Sequence, residues 1–109
     1  MIMMGENDFR TKYEIPEIEK TGAIFAASNY KCDFYDGRGY LILNFGPDEW
    51  YFHYCGHCSC YGPVDDLVDD CKTRREPLEK MIEGMSEDLR EECADIIEHA
   101  RRWEQGGKQ

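Results

Sequence analysis

The 109-residue sequence is poor in positive charge, with 13 lysines and arginines against 23 aspartates and glutamates and a net charge of −10. Nucleic acid and anionic lipid are bound through a basic footprint and release of counterions, so direct binding to either is not expected. No window approaches the roughly 18 uninterrupted apolar residues of a membrane-spanning helix. The first ten residues, MIMMGENDFR, lack the basic stretch and apolar core of a secretory signal, so a cytosolic protein is expected. Also missing are GxGxxG, the Walker loop, GxSxG and HExxH, and His57 and His99 have no evident serine partner, so no enzyme is expected from the sequence. Internal repeats and low-complexity segments are absent too.

What is present suits a single folded domain. Hydrophobic residues make up 41% and aromatic residues 13% of the chain, enough for a core at this length. Residues 1–22 read as an N-terminal arm and connection, residues 23–105 as one domain, and residues 106–109 as a disordered tail. Within the arm, Phe9, Tyr13 and Ile15 are candidates to dock on the core.

Periodicity divides the domain in two. A strand is preferred over Ala23–Ser28, and Tyr30, Cys32 and Phe34 alternate with polar neighbours at the two-residue period of a half-buried strand. Asp36-Gly37-Arg38-Gly39 reads as a hairpin loop. Tyr40–Phe45 is apolar on both faces in its middle, the pattern of a central strand, and Gly46-Pro47 turns the chain into a further strand over Trp50–Cys55. Beyond Pro63 the period becomes helical. Val64, Leu67, Val68 and Cys71 form one stripe, Leu78, Met81, Ile82 and Met85 a second, and Leu89, Cys93, Ile96, Ala100 and Trp103 a third that opens at the N-cap candidate Ser86. The expected fold is α+β: a three-stranded antiparallel meander followed by three C-terminal helices on one face.

Candidate chemistry is concentrated in Trp50–Pro63, WYFHYCGHCSCYGP, with three of the six cysteines and two of the three histidines. Cys55-x2-Cys58 has the spacing of half a structural zinc site. Cys60 and His57 are further candidate ligands, and His53 and Cys32 lie within possible reach. Zinc is therefore one cofactor the sequence allows. A packing role is the plain alternative, since small thiols and glycines fill gaps between a sheet and a helix, and Cys71 and Cys93 on their apolar stripes fit that role best.

Two resemblances bear on this stretch. Cys55-Gly56-His57-Cys58 resembles the active-site tetrapeptide of protein disulfide isomerases, preceded by an aromatic strand and followed by Pro63. The resemblance implies a dithiol oxidoreductase, with Cys55 as attacking thiolate and Cys58 as resolving thiol. The sequence departs from that pattern in the extra thiol Cys60 and in the helical reading of everything after Pro63. The segment HCSCYGP, followed by acidic residues, also resembles short uncharacterised proteins of tailed bacteriophages. That resemblance implies a phage-encoded modulator or inhibitor of a host protein, working in the host cytoplasm.

The acidity has a pattern of its own. Residues 63–105 carry fourteen acids and seven bases, a net of −7. Glu87, Glu91, Asp95 and Glu98 recur along one side of the last helix, and Asp65, Asp66, Asp69 and Asp70 cluster on the first. Carboxylates four residues apart on a helix rise about 6 Å, near the spacing of phosphates on a nucleic-acid strand. A solvated helix face has the same composition. The sequence thus points to a small acidic binding protein whose partner is a protein with a basic surface.

Overall fold

The computed structural model describes residues 1–33, 36–58 and 62–107, with the His57 side chain outside that description. Among the described residues the sheet has five strands: β1 (Ile2–Met4), β2 (Phe25–Ser28), β3 (Lys31–Asp33), β4 (Asp36–Asn44) and β5 (Trp50–His57). The helical segments among the described residues are α1 (Glu14–Glu19), α2 (Leu67–Asp70), α3 (Leu78–Glu83), α4 (Glu87–Glu92) and α5 (Ala94–Arg102), which ends in a π-helical turn over Trp103–Gly107.

Strand β4 is the centre of the sheet. One of its edges pairs with β5 along its length, from Gly37 opposite His57 to Asn44 opposite Trp50. Its other edge pairs with β2 through residues 41–44 and with β3 through residues 36–38. β2 and β3 are thus two pieces of one strand, interrupted at Asn29 and Tyr30. The Asn29 side chain bridges the interruption: its Oδ1 accepts the Tyr40 N–H at 2.8 Å and its Nδ2 donates to the Glu92 carbonyl at 3.0 Å. Gly39 makes room for it, because a Cβ there would run into the backbone of Tyr30, and its φ of +156° suits glycine.

Both faces of the sheet are covered, and alternation along the strands assigns each residue to its face. On one face Ala26, Leu41, Leu43, Tyr51 and Cys55 pack with Ile18 of α1, Leu67 of α2, and Phe9, whose ring stacks on Tyr30 at 4.9 Å. On the other, Phe25, Ala27, Ile42 and Trp50 pack against Leu78, Met81 and Ile82 of α3 and Ile96, Ile97 and Ala100 of α5. Trp103 closes this second layer by stacking on Phe25 at 4.9 Å. Leu41, Ile42 and Leu43 are fully buried, as the run of apolar residues requires of a strand with both faces covered.

The expectation of a three-stranded antiparallel meander with three helices on one face is corrected on three points. First, the sheet is mixed, because β1 runs parallel to β2, with Ile2 opposite Phe25 and Met4 opposite Ala27. The segment read as an arm supplies this strand, α1 and the core residues Phe9 and Ile18. Second, helices lie on both faces. Third, the helical stripes are broken. The Asp65 carboxylate accepts the Gly62 N–H at 2.9 Å and Asp66 takes a left-handed φ of 66°, so the first stripe is a tight turn with one short helix. Cys93, at φ −102° and ψ 11°, divides the last stripe into α4 and α5. Ser86 does cap α4, its Oγ accepting the Leu89 N–H at 3.2 Å. Of the expected tail, residues 108–109 lie outside the described residues.

Candidate functional site: an acidic cleft beside strand β5

A cleft of about 970 Å³ lies between β5 and the turn that carries α2. His53, Tyr54 and Gly56 form one wall and Gly62 to Asp70 the other, with Glu17 of α1 at its margin. Asp65, Asp66, Asp69 and Asp70 all line it, and among the described residues no lysine or arginine does. Arg74 lies close enough to act on Tyr51, and two further cations form exposed ion pairs, Lys20 with Glu17 at 2.8 Å and Lys72 with Asp69 at 3.8 Å. Such pairs hold their partners weakly and are screened by salt.

The cleft has a buried histidine in its wall. His53 is 9% exposed, and its Nδ1 shares a hydrogen bond of 2.7 Å with the Tyr51 hydroxyl. Burial pushes the Tyr51 phenol up to about 12, so it is neutral at ordinary pH. Burial also lowers the pKa of His53 below its usual 6.5, against the opposing pull of Asp70 and Asp66. Between that lowered value and 6.5 the unfolded chain binds more protons than the folded one, so stability falls as pH falls through the window. The urea midpoint of the wild-type protein should therefore drop between about pH 7 and about pH 5.5 by more than that of His53→Gln. Equal drops in the two proteins would mean that His53 titrates normally.

The two acidic clusters differ in setting. Glu87, Glu91, Asp95 and Glu98 are all exposed, but arginines are interleaved with them. Glu98 pairs with Arg102 at 2.8 Å, Arg90 shares a shallow groove with Glu87 and Glu91, and Arg101 pairs with Glu79 at 2.9 Å nearby. That surface carries mixed charge on a convex helix. The aspartates of residues 65–70 face a concavity with one sign of charge, where field lines concentrate.

The cysteine stretch is taken apart by the strand that contains it. β5 runs on through His57, so the backbone from Cys55 is extended and carries Cys58 about 10 Å along the chain, three residue steps away. A disulfide needs Cα atoms within about 7 Å, and zinc would need both sulfurs about 2.3 Å from one ion. This pair meets neither condition. Cys55 is fully buried in the first core layer, and burial pushes its thiol up to about 12, the reverse of an attacking thiolate. Cys71 and Cys93 are fully buried as well. Cys58 is partly exposed and lines a second groove, of about 520 Å³, together with Cys32. Cys60 and the His57 side chain, the other candidate ligands, lie outside the described residues. Among the described residues, no three His, Cys, Asp or Glu side chains converge as a metal site.

Sequence reasoning did not find the pairing of Tyr51 with His53 or the place of Glu17 at the cleft. The signal for the first was there: two residues apart on a strand, they share a face. For Glu17 there was none, because α1 reaches α2 only through the tertiary fold. No helix among the described residues is long and apolar enough to cross a membrane. No protein-family model, curated protein or solved structure matches this chain.

Proposed function

We propose that this is a small acidic binding protein that engages a basic surface on a protein partner, with the cleft beside β5 as its principal contact. The carrying observation is that four aspartates and Glu17 line one concavity that, among the described residues, no lysine or arginine lines. On the phage resemblance of the adjoining HCSCYGP segment, the partner is a host protein and the effect is to modulate or inhibit it. The carboxylates of α4 and α5 make a second, weaker contact, since arginines already neutralise part of that surface.

A test needs no knowledge of the partner. A fluorescent Lys/Arg-rich peptide of about ten residues should bind the wild-type protein at low ionic strength and weaken steadily as salt rises, because the Debye length is ~10 Å at 0.1 M. Changing Asp65, Asp66, Asp69 and Asp70 together to asparagine should weaken binding by about tenfold or more. Asparagine keeps the acceptor that Gly62 uses at position 65 and tolerates the left-handed φ at position 66, so the fold should survive. Glu87→Gln, Glu91→Gln and Asp95→Asn combined should change affinity less than the aspartate set. Equal affinity of the wild-type and aspartate-substituted proteins would dismiss the cleft as the contact.

A further inference from the structure

Resting on that reading, we infer that the partner's segment enters the cleft as an extended chain and adds a strand to the outer edge of β5. The backbone shows which groups are on offer. Trp50 sends both its N–H and its C=O outward, each bonded to Glu76 at 2.9 Å. Its pair across the ladder, Asn44, turns the other way, its carbonyl accepting the Ile24 N–H at 2.9 Å. In an antiparallel ladder the direction alternates with every residue. Phe52, Tyr54 and Gly56 therefore present their N–H and C=O groups to the outer edge, while Tyr51, His53 and Cys55 bond to β4. Among the described residues nothing bonds to that edge beyond Trp50.

The cleft opens along the same edge. His53 and Tyr54 project to opposite faces of β5, and both line it, so the cavity lies alongside the strand rather than over one face. Native sheets protect open edges with charges, prolines or a covering element, and Phe52-His53-Tyr54-Cys55-Gly56 has no lysine, acid or proline. The edge from Phe52 to Gly56 matches about five residues of added strand at ~3.3 Å per residue. The same period puts every second side chain of that strand toward the aspartates across the cleft. The occupant is thus an extended segment with lysine or arginine at alternate positions, held by main-chain bonds to β5 and by charge to Asp65, Asp66, Asp69 and Asp70. Tyr54, 56% exposed, offers a ring on the opposite face for the intervening side chains.

The experiment uses the whole protein and three peptides of equal charge: an alternating Lys-Thr decamer, and two versions N-methylated at every Lys or at every Thr. An added strand bonds to β5 through one alternate set only. One methylated peptide should therefore bind about tenfold or more weakly than the parent, and the other nearly as well. Amide exchange at Phe52, Tyr54 and Gly56 should slow about tenfold or more with the parent peptide. Salt-sensitive binding with both methylated peptides equal to the parent and no protection at those amides would overturn strand addition while leaving the acidic cleft as the contact. Absence of binding by any of the three at low salt would overturn both. Protection of the same amides without peptide, rising with protein concentration, would put a second copy of the chain on the edge and overturn the inference.

Discussion

Replacing Trp50 with alanine should remove about 3–5 kcal/mol of stability, a large share of the 5–15 kcal/mol typical of a domain. The indole is 1% exposed, meets Phe25 edge-on at 6.0 Å and donates from Nε1 to Glu104 at 3.1 Å. Deletion leaves a cavity between the sheet and α3 and removes the donor that Glu104 uses. For a chain of this length each kcal/mol is worth about 4 °C or more in Tm, so a fall of at least about 12 °C is expected. Trp50→Phe keeps most of the apolar volume and should lose clearly less. The measurement is thermal unfolding followed by circular dichroism. A fall under about 3 °C for the alanine variant would contradict the placement of Trp50 in the second core layer.

The second large effect concerns reactivity. With its thiol pushed up to about 12 by burial, Cys55 holds on the order of a thousandfold less thiolate near neutral pH than an ordinary cysteine, before access is considered. Alkylation by iodoacetamide, read residue by residue by peptide mass mapping, should therefore modify native Cys55 at least about a thousandfold more slowly than the same cysteine in denaturant. Cys55→Ala should fold with a loss of about 1 kcal/mol. Cys55→Ser should cost more, since it places a hydroxyl among apolar side chains. A redox nucleophile would behave in the opposite way, reacting fast in the native protein. Modification of native Cys55 at the rate of a small thiol would restore the dithiol reading.

These two residues also show what the sequence made legible. The central strand could be read because Leu41, Ile42 and Leu43 leave no polar face, and the core side of β5 because its aromatic residues continue the strand pattern from Trp50. The end of β5 was misread for an identifiable reason: glycine and cysteine in CGHC carry the composition of a turn. In the structure Gly56 is a strand residue whose missing side chain makes room for the Tyr54 ring, since a Cβ would lie 2.9 Å from that ring. The stripe Val64, Leu67, Val68 and Cys71 was read as a full helix because spacing reports which side chains face the core. It does not report whether every intervening backbone bond forms, and here Asp65 and Asp66 divert the chain. The cleft was half legible. Its aspartates stand together in the sequence, but the wall opposite them comes from β5, and only the fold brings the two together. β1 gave no local sign, because three residues carry almost no periodicity and their partner lies more than twenty positions away.

That last pairing fixes an order of assembly. Residues 2–4 are made before the strand they join, Phe25–Ala27, yet that strand is itself held in the sheet by β4. Two strands alone are marginal in water, and parallel strands pair a little less favourably still. Of these three strands, the one made earliest is thus the last to be secured. Until residues 36–44 have been synthesised and have folded onto β2, Ile2-Met3-Met4 and Phe25-Ala26-Ala27 remain two uncharged apolar stretches on one unfinished chain. Over that interval both stretches are open to pairing with other chains, and the arrival of β4 ends it.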